Sequence, residues 1–298
     1  MLRFLLSMLY YVEYFLVRFL WFVLQNLPMC FSCCIAYCIA TIIWLFSPKR
    51  RLKIQENLQI AYPDGIPFSI ARFTHKVFVN FMYTFFEFTL SSKKFNQNNW
   101  KKYVIEEGKE IESLKEELSE SKVAVLCSAH LGNFTLVGHV VCYSGVKVMT
   151  VIRELYNPLL NTFFANLLAE PGNAIVFKEE AYSMFQDAVP QGICPGVMID
   201  QYGGRKSLYV PFMGKNAYTA ASPAVLANKF GIPIYLVALM REDFFRFRFF
   251  CRKIAVETST EDKQKDLEKT TENINKALEE IIREYPEQWF WMHRRWRD

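Results

Sequence analysis

The chain of 298 residues is long enough for one large α/β domain with an N-terminal appendage. Its net charge of +5 is modest and carried by small clusters, which argues against nucleic acid as a partner. The hydrophobic fraction of 52% is high for a soluble enzyme, and the excess lies at the N-terminus. We interpret the eight cysteines as free thiols in a reducing compartment, because they are scattered or lie in an apolar run. No small-residue cleavage site follows the first apolar run, so we predict no removable signal peptide.

Residues 1–26 are predicted to form an amphipathic helix. At 100° per residue their polar side chains fall within an arc of roughly 160°, and the opposite face is Leu, Phe, Val and Met. Such a helix is suited to lying in a membrane interface. The polar arc consists of Arg3, Ser7, Tyr10, Tyr11, Glu13, Tyr14, Arg18 and Gln25.

Residues 29–47 form a second apolar segment without a charged residue. As a helix it would be about 28 Å long, marginal for a hydrocarbon core of about 30 Å. A basic cluster at 49–53 follows, and it predicts that this end lies on the cytoplasmic side of a membrane. A single span, an interfacial or buried partner of the first helix, and a core helix of a soluble bundle all remain open. We place a domain boundary here, with hydrophobic membrane-associating helices at 1–48 and an α/β domain at 49–298.

The remainder predicts an α/β fold with a central mixed, mostly parallel sheet flanked by helices. Two helices, at 51–61 and 68–90, come first, and the second is so rich in Phe and Met that it is either core or the wall of an acyl-chain groove. Strands and helices then alternate. The predicted strands lie at 122–128, 147–151, 174–177, 195–200, 209–213 and 232–241, with an antiparallel pair at 244–256, and the predicted helices at 157–169, 179–189, 217–230 and 262–285.

The stretch from 122 to 140 is the most informative. A buried strand ends in His-Leu-Gly-Asn at 130–133, and a helical apolar pattern follows. Chemistry in α/β folds is concentrated at the carboxyl ends of strands. His130 lies on such a turn, beside the permissive Gly132 and Asn133, a good N-cap residue. From the residues alone, a His that only hydrogen-bonds at a strand end is an equal alternative.

Polar residues also follow two other predicted strands. Arg153 and Glu154 follow the strand at 147–151, and an Arg there suits a phosphate or an oxyanion unless it only forms a surface ion pair. Asp200 ends the strand at 195–200. It opens a loop whose glycines are predicted to let backbone N–H groups approach an anion. That loop includes Gln201, Gly203, Gly204 and Arg205.

Residues 129–134, Ala-His-Leu-Gly-Asn-Phe, resemble the AHxGNW motif of the bacterial lipid A late acyltransferases, the lauroyl/myristoyl type within the lysophospholipid acyltransferase superfamily. Residues 50–63 resemble the family's RRxxIxxNLxxAFP block, and 153–160 its RxxxNPLL block. Residues 200–224 resemble its DQ…VPFFG…AxT block, and 286–296 its PEQWxWxHRRW block. The resemblance runs from about Leu20 to Trp296.

The resemblance implies acyl transfer from a thioester, on acyl carrier protein or less favourably on coenzyme A, to a hydroxyl of a lipid A precursor. His130 would be the general base, with Arg153 and Asp200 as further catalytic residues. The donor or glycolipid would contact Asn133, Thr135, Glu154, Gln201, Gly203, Gly204 and Arg205. The implied location is the cytoplasmic face of the inner membrane, with no cofactor.

One departure weakens this interpretation. The family places an Asp or Glu five residues after the catalytic His, and this chain has Thr135 there. Thr135 supplies no charge to support the imidazolium. Glu154 or Asp200 is a candidate replacement. The alternatives are an acyltransferase acting on another glycolipid, phospholipid or aminolipid, and a catalytically impaired lipid-binding homologue.

Two further interpretations, a zinc site and a soluble hydrolase, are less favoured. The pairs Cys127/His130 and His139/Cys142 have zinc-like spacing, but they lie in apolar elements and we predict no metal site. A soluble hydrolase is disfavoured because the chain lacks a Gly-x-Ser-x-Gly elbow. The Trp- and Arg-rich segment at 286–296 either binds sugar, phosphate or the membrane interface, or plugs the core.

Overall fold

The structure, a computed structural model, describes residues 2–106, 108–258 and 261–297. It confirms the predicted fold class, a mostly parallel sheet flanked by helices. The α-helices are α1 (Leu2–Gln25), α2 (Met29–Leu45), α3 (Pro48–Ala61), α4 (Ile70–Lys94), α5 (Glu110–Ser121), α6 (Val137–Tyr143), α7 (Pro158–Ala169), α8 (Ala181–Ala188), α9 (Ser222–Phe230) and α10 (Lys263–Glu284). The strands are β1 (Val104–Ile105), β2 (Val125–Ser128), β3 (Val148–Ile152), β4 (Ala174–Phe177), β5 (Cys194–Met198), β6 (Leu208–Phe212), β7 (Lys215–Thr219), β8 (Ile234–Asp243) and β9 (Arg246–Ile254).

The main sheet has seven strands in the order β1-β9-β8-β2-β5-β3-β4. Its neighbouring strands are parallel except for the antiparallel pair β8–β9. The four residues of β2 and the first eight of β8 are all buried, as is typical of strands covered on both faces. The carboxyl ends of β2, β5, β3 and β4 therefore meet along one edge, which we call the carboxyl edge.

The segment 217–230 does not form the single helix that its small residues predict. Its first residues belong to β7, which pairs with β6 in a two-stranded hairpin, and α9 begins only at Ser222. The hairpin turn places Met213 and Gly214 at φ values of 46° and 85°. Cross-strand pairing thus outweighs helix propensity here, which is a weak preference that tertiary context overrides.

The polar side of α1 packs against the protein rather than lying free. Asn157 Nδ2 donates to Glu13 Oε2 at 2.9 Å and to the Tyr10 carbonyl at 3.1 Å, and Tyr156 donates to Glu13. Trp21 is 5% exposed in an aromatic box formed by Phe85, Phe88, Phe163 and Phe164. The side chain of Arg3, part of the predicted polar arc, lies outside the described residues, as does Met1.

The outward faces of α1 and α2 are apolar and exposed. The segment 7–25 of α1 is long and apolar enough to cross a membrane. The helices α2 and α3 reach that length and hydropathy only when they are taken together, and the chain bends by 88° between them. The buried side of α2 is its small-residue stripe of Ser32, Ala36 and Ala40, which faces inward while large side chains face outward. The exposed large side chains of this region include Phe15, Phe19 and Phe22 on α1, Phe31 and Ile42 on α2, and Phe46 directly after α2.

Candidate active site

His130 and Asp200 meet because of the sheet order. Strands β2 and β5 are parallel neighbours, and Ser128 lies opposite Met198 in their register. Each functional residue follows its strand by two positions, so the two reach the carboxyl edge side by side. The chain continues this alignment beyond the strands, since the Ile199 N–H donates to the Ser128 carbonyl at 3.0 Å.

The His130–Asp200 pair has the geometry of an oriented imidazole. Nδ1 of His130 lies 3.0 Å from Oδ1 of Asp200, and the backbone N–H of His130 donates to Oδ2 at 3.0 Å. The side chain of Asp200 is 2% exposed and that of His130 22% exposed. A buried carboxylate bound to Nδ1–H leaves Nε2 as the nitrogen without the proton, which is the tautomer that a general base needs.

The pair stabilises its charged forms. Burial alone would raise the pKa of Asp200, but the neighbouring His130 and the hydrogen bonds from His130 and Trp289 hold that pKa at about 2. Burial would likewise lower the pKa of His130, yet the Asp200 carboxylate outweighs it and raises the pKa above the ordinary 6.5. The carboxylate therefore supports an imidazolium on His130, as the proton-accepting step of general base catalysis requires.

Gln201 covers one face of the imidazole. Its Nε2 lies 3.5 Å from Nδ1 and 3.3 Å from Nε2 of His130. A point so nearly equidistant from both nitrogens lies over the ring face, because within the ring plane it would collide with Cε1. The in-plane lone pair of His130 Nε2 is therefore left for another partner.

A groove runs from His130 between α4 and the C-terminal segment. Phe81 on its wall is 42% exposed and contacts Phe290, with ring centroids 5.0 Å apart. The groove therefore joins the imidazole to the apolar surface of α4. Its lining residues are Val77, Asn80, Phe81, Thr84, His130, Gly132, Phe134, Gln288, Trp289 and Phe290.

The turn after His130 requires glycine at position 132. Gly132 has φ = 58°, and a Cβ built there would lie 2.2 Å from the carbonyl oxygen of Leu239 on β8. The adjacent Asn133 N–H donates to that same oxygen at 2.7 Å. The helix begins later than Asn133 suggests, at Val137, although Asn133 Oδ1 accepts from the Leu136 N–H at 3.2 Å.

Thr135 is engaged away from the imidazole. Its hydroxyl donates to Oδ1 of Asn133 at 2.7 Å, and Asn133 is completely buried. Glu154 is exposed, and no contact between it and His130 occurs among the described residues. Of the two candidate replacement acids, Asp200 is the one that contacts His130. The predicted substrate contacts of Asn133, Thr135 and Glu154 stay predictions.

Arg153 and the loop after Asp200 flank the pair. Arg153 is exposed and follows β3, which is two strands from β2 and thus about 10 Å away. The N–H of Gly203 donates to the Tyr218 carbonyl at 3.0 Å, so in this conformation it is engaged within the protein. Gly204 has φ = 94°, and Arg205 is exposed. Anion binding by this loop stays a prediction.

The C-terminal Trp- and Arg-rich segment is largely core. Trp289, Trp291 and Arg295 are among the most buried large side chains. Trp289 also reaches the site, since its Nε1 donates to Asp200 Oδ2 at 2.9 Å. The alternation of Trp and Arg in the sequence does not distinguish a segment that packs into the core from one that binds a ligand or the membrane.

Cys127 and His139, one from each pair with zinc-like spacing, are buried in apolar surroundings. Cys127 is completely buried in β2, and burial raises the pKa of its thiol. His139 packs edge-on against Phe88 and Tyr143, and burial lowers its pKa to about 4. Within residues 2–106, 108–258 and 261–297, no group of three or more His, Cys, Asp or Glu side chains is arranged to hold a metal ion.

Comparison with known proteins agrees with the motif resemblance. The family of bacterial lipid A biosynthesis acyltransferases matches residues 2–298, nearly the whole chain. A search of curated protein sequences found no match. Since the family match spans the helices, the sheet and the His130–Asp200 pair together, the chain belongs to the bacterial lipid A biosynthesis acyltransferase family.

Proposed function

We propose that the protein transfers a fatty acyl chain from an acyl carrier protein thioester to a hydroxyl of a lipid A precursor, with His130 as the general base. The observation that supports this is the 3.0 Å contact between Asp200 and Nδ1 of His130, which leaves Nε2 as the proton-accepting nitrogen of a side chain that lines the groove. In this proposal Asp200 supplies the carboxylate that is missing at position 135.

In the proposed step, the acceptor hydroxyl loses its proton to His130 Nε2 while its oxygen attacks the thioester carbon. The tetrahedral intermediate carries a negative oxygen, for which the side-chain N–H of Gln201 is a candidate donor. The carbon–sulfur bond then breaks. The imidazolium returns its proton to the leaving thiolate, so the products are an ester and a free thiol.

The surroundings of the pair support a lipid acceptor. Phe81 of α4 lines the groove and is 42% exposed. Phe85, one turn further along α4, is 44% exposed and contacts Trp21 of α1, with ring centroids 6.3 Å apart. A lipid held in a bilayer would enter here with its acyl chains still in an apolar environment. Arg153, Lys178 and Lys206 are exposed on loops of the carboxyl edge, where they suit phosphate groups of a glycolipid or of a donor.

Membrane association is part of the proposal. The exposed apolar faces of α1 and α2 would enter the acyl region, and Lys49 and Arg50 would meet anionic headgroups on the cytoplasmic side of the inner membrane. Phe46 is 83% exposed at the end of α2, directly before this basic cluster. An apolar surface bordered by cations is typical of proteins that bind a membrane interface.

The test is acyl transfer by the purified full chain in vesicles, with a phosphorylated glucosamine lipid as acceptor. Acyl carrier protein and coenzyme A thioesters are compared as donors. We expect transfer by the native chain and by Arg252→Ala, a control at an exposed residue on β9, and none by His130→Ala. Transfer only after Thr135→Glu would identify a lapsed enzyme with a lipid-binding role. Transfer to a different lipid alone would replace the acceptor.

A further inference from the structure

A buried ion pair lies directly behind the turn that carries His130. Glu87 is the lone acid of the Phe-rich helix α4 and is completely buried, while Arg241 on β8 is 7% exposed. The pair is bidentate, with Arg241 Nε 2.7 Å from Glu87 Oε1 and Nη2 2.6 Å from Oε2. Two parallel charge-assisted hydrogen bonds fix direction as well as distance.

The remaining hydrogen-bonding groups of the pair tie three segments together. Arg241 donates from Nη1 to Asn80 Oδ1 at 2.7 Å and from Nη2 to Thr84 Oγ1 at 2.8 Å. Glu87 Oε1 also accepts from the Phe245 N–H at 3.1 Å, in the β8–β9 turn. The pair thus joins α4 to the end of β8 without leaving a charge unsatisfied.

The third segment is the catalytic turn itself. Asn133 Nδ2 donates to Glu87 Oε2 at 2.8 Å, and Thr84 Oγ1 donates to the Gly132 carbonyl at 3.1 Å. The opposite side of the turn is held through Gln288, whose carbonyl accepts from the Gly132 N–H at 3.1 Å. Gln288 in turn exchanges two 2.8 Å hydrogen bonds with the backbone of Arg241. Both sides of the turn therefore connect to Arg241.

Stability alone does not require charges here. Replacing a buried ion pair by apolar residues of similar volume is often neutral or stabilising, because taking two ions out of water is costly. An apolar pair would fill the space between α4 and β8, but it would leave the Asn133 side-chain amide and the Phe245 N–H without their acceptor. It would not provide directed hydrogen bonds to Asn133, and direction is what a catalytic turn needs.

We propose that Glu87 and Arg241 are positioning residues that hold the His130 turn in its productive geometry through Asn133. This rests on the proposed acyl transfer. Thr135 takes part, since it donates to the amide oxygen of the same Asn133. The residue at the family's acid position here supports the turn rather than the imidazole, and Asp200 orients the imidazole from the other side.

The experiment removes both charges together, as Glu87→Leu with Arg241→Met, so that no unpaired ion remains buried. The matched control is Glu280→Leu with Arg252→Met, an ion pair between α10 and β9 whose side chains are 50% and 43% exposed. For each variant we measure thermal unfolding, backbone hydrogen exchange at Gly132 and Asn133, and acyl-transfer kcat and KM.

In the Glu87/Arg241 variant we expect a cooperative unfolding transition at a lower temperature than in the native chain, because the Asn133 side-chain amide and the Phe245 N–H lose their acceptor. We also expect at least tenfold faster exchange at the backbone amides of Gly132 and Asn133. We expect kcat to fall by about a hundredfold with KM unchanged, as for a displaced catalytic group. The control should match the native chain throughout. A folded variant with native exchange and native kcat would overturn the proposal.

Asn133→Ala is the second variant, for the case in which the Glu87/Arg241 variant does not fold. It removes the hydrogen bond from Asn133 to Glu87 and keeps the Glu87–Arg241 ion pair. Native exchange at Gly132 and native kcat in Asn133→Ala would also overturn the proposal. The exchange measurement needs no substrate. If the native chain transferred no acyl group, the proposed function would fail, while exchange alone would still decide whether the pair holds the turn.

Discussion

Trp289 donates its indole N–H to Oδ2 of Asp200 at 2.9 Å, on the same oxygen that accepts the backbone N–H of His130. Oδ1 is thereby left to the imidazole, 3.0 Å from Nδ1. The C-terminal segment thus fixes the orientation of the acid, although it lies 89 residues from Asp200 in the sequence.

We predict that Trp289→Phe lowers kcat about tenfold and destabilises the protein by about 1–3 kcal/mol, because Asp200 loses a donor and gains freedom to rotate. Discontinuous acyl-transfer assays measure kcat, and urea unfolding measures the change in stability. Trp296→Phe is the control, since its indole donates to the backbone carbonyls of Phe212 and Lys215 and not to Asp200 among the described residues. Equal losses of kcat in both variants would contradict a specific role for Trp289.

The pH dependence of transfer follows from the pair. His130 must be neutral to accept a proton, so kcat/KM of the native chain should rise with pH through an apparent pKa above 6.5. In Asp200→Asn the carboxylate is lost and burial lowers the pKa of His130, which moves this rise to lower pH. The plateau should fall by about 10³–10⁴-fold. A pH profile that Asp200→Asn leaves in place would argue against His130 as the titrating base.

Thr135→Val should keep kcat within about tenfold of the native value, because the hydroxyl contacts Asn133 and not the imidazole. The same variant should unfold at about 1 kcal/mol lower stability. Side-by-side kinetics of Thr135→Val and Asp200→Asn test this ranking. A larger loss of kcat in Thr135→Val than in Asp200→Asn would reverse the assignment of the acid.

The sequence alone does not distinguish Asp200 from Glu154 as the acid that contacts His130. Both residues follow predicted strands, so both were candidates for the carboxyl edge. Strand order decides between them, because β5 lies beside β2 while β3 is one strand further away. Alternating strands and helices predict a parallel sheet, but they do not specify which strands are neighbours.

The supporting network was missed for a related reason. The sequence of α4 is dominated by its aromatic stripe, and no role was assigned to Glu87 from the sequence. A single acid among phenylalanines predicts a buried carboxylate, which needs a buried cationic or hydrogen-bonding partner. The partner Arg241 lies 154 residues away. Hairpin β6–β7 was mistaken in part for helix because Ala217 continues a run of small residues into α9.

Stability should fall in mild acid because of His139. Burial holds its folded-state pKa at about 4, whereas it protonates near 6.5 when unfolded. The unfolded state therefore binds more protons, and stability is lost as pH falls from about 6.5 toward 4, by up to about 3 kcal/mol. Denaturant unfolding at pH 7 and pH 4.5 should show a smaller difference in His139→Gln. His293, with a pKa also about 4, keeps part of the dependence.

Membrane binding should depend on the outward face of α1. Phe15→Glu with Phe19→Glu changes two side chains that are 65% and 64% exposed, so the fold should remain while vesicle binding weakens more than tenfold. Sedimentation with anionic vesicles measures this. Lys276→Glu on α10 is the charge control and should bind as the native chain does. Unchanged binding of the double variant would place the membrane contact elsewhere.

The attachment of α1 through Glu13 to Tyr156 and Asn157 has a kinetic consequence. Those two residues belong to the loop that begins at Arg153, so Glu13 links the helix with the exposed apolar face directly to the loop at the carboxyl edge. A bilayer that holds α1 would set the height of the groove above the headgroups. We expect such an enzyme to act on many acceptor molecules during one residence on a vesicle, at a rate that follows the surface density of acceptor rather than its bulk concentration.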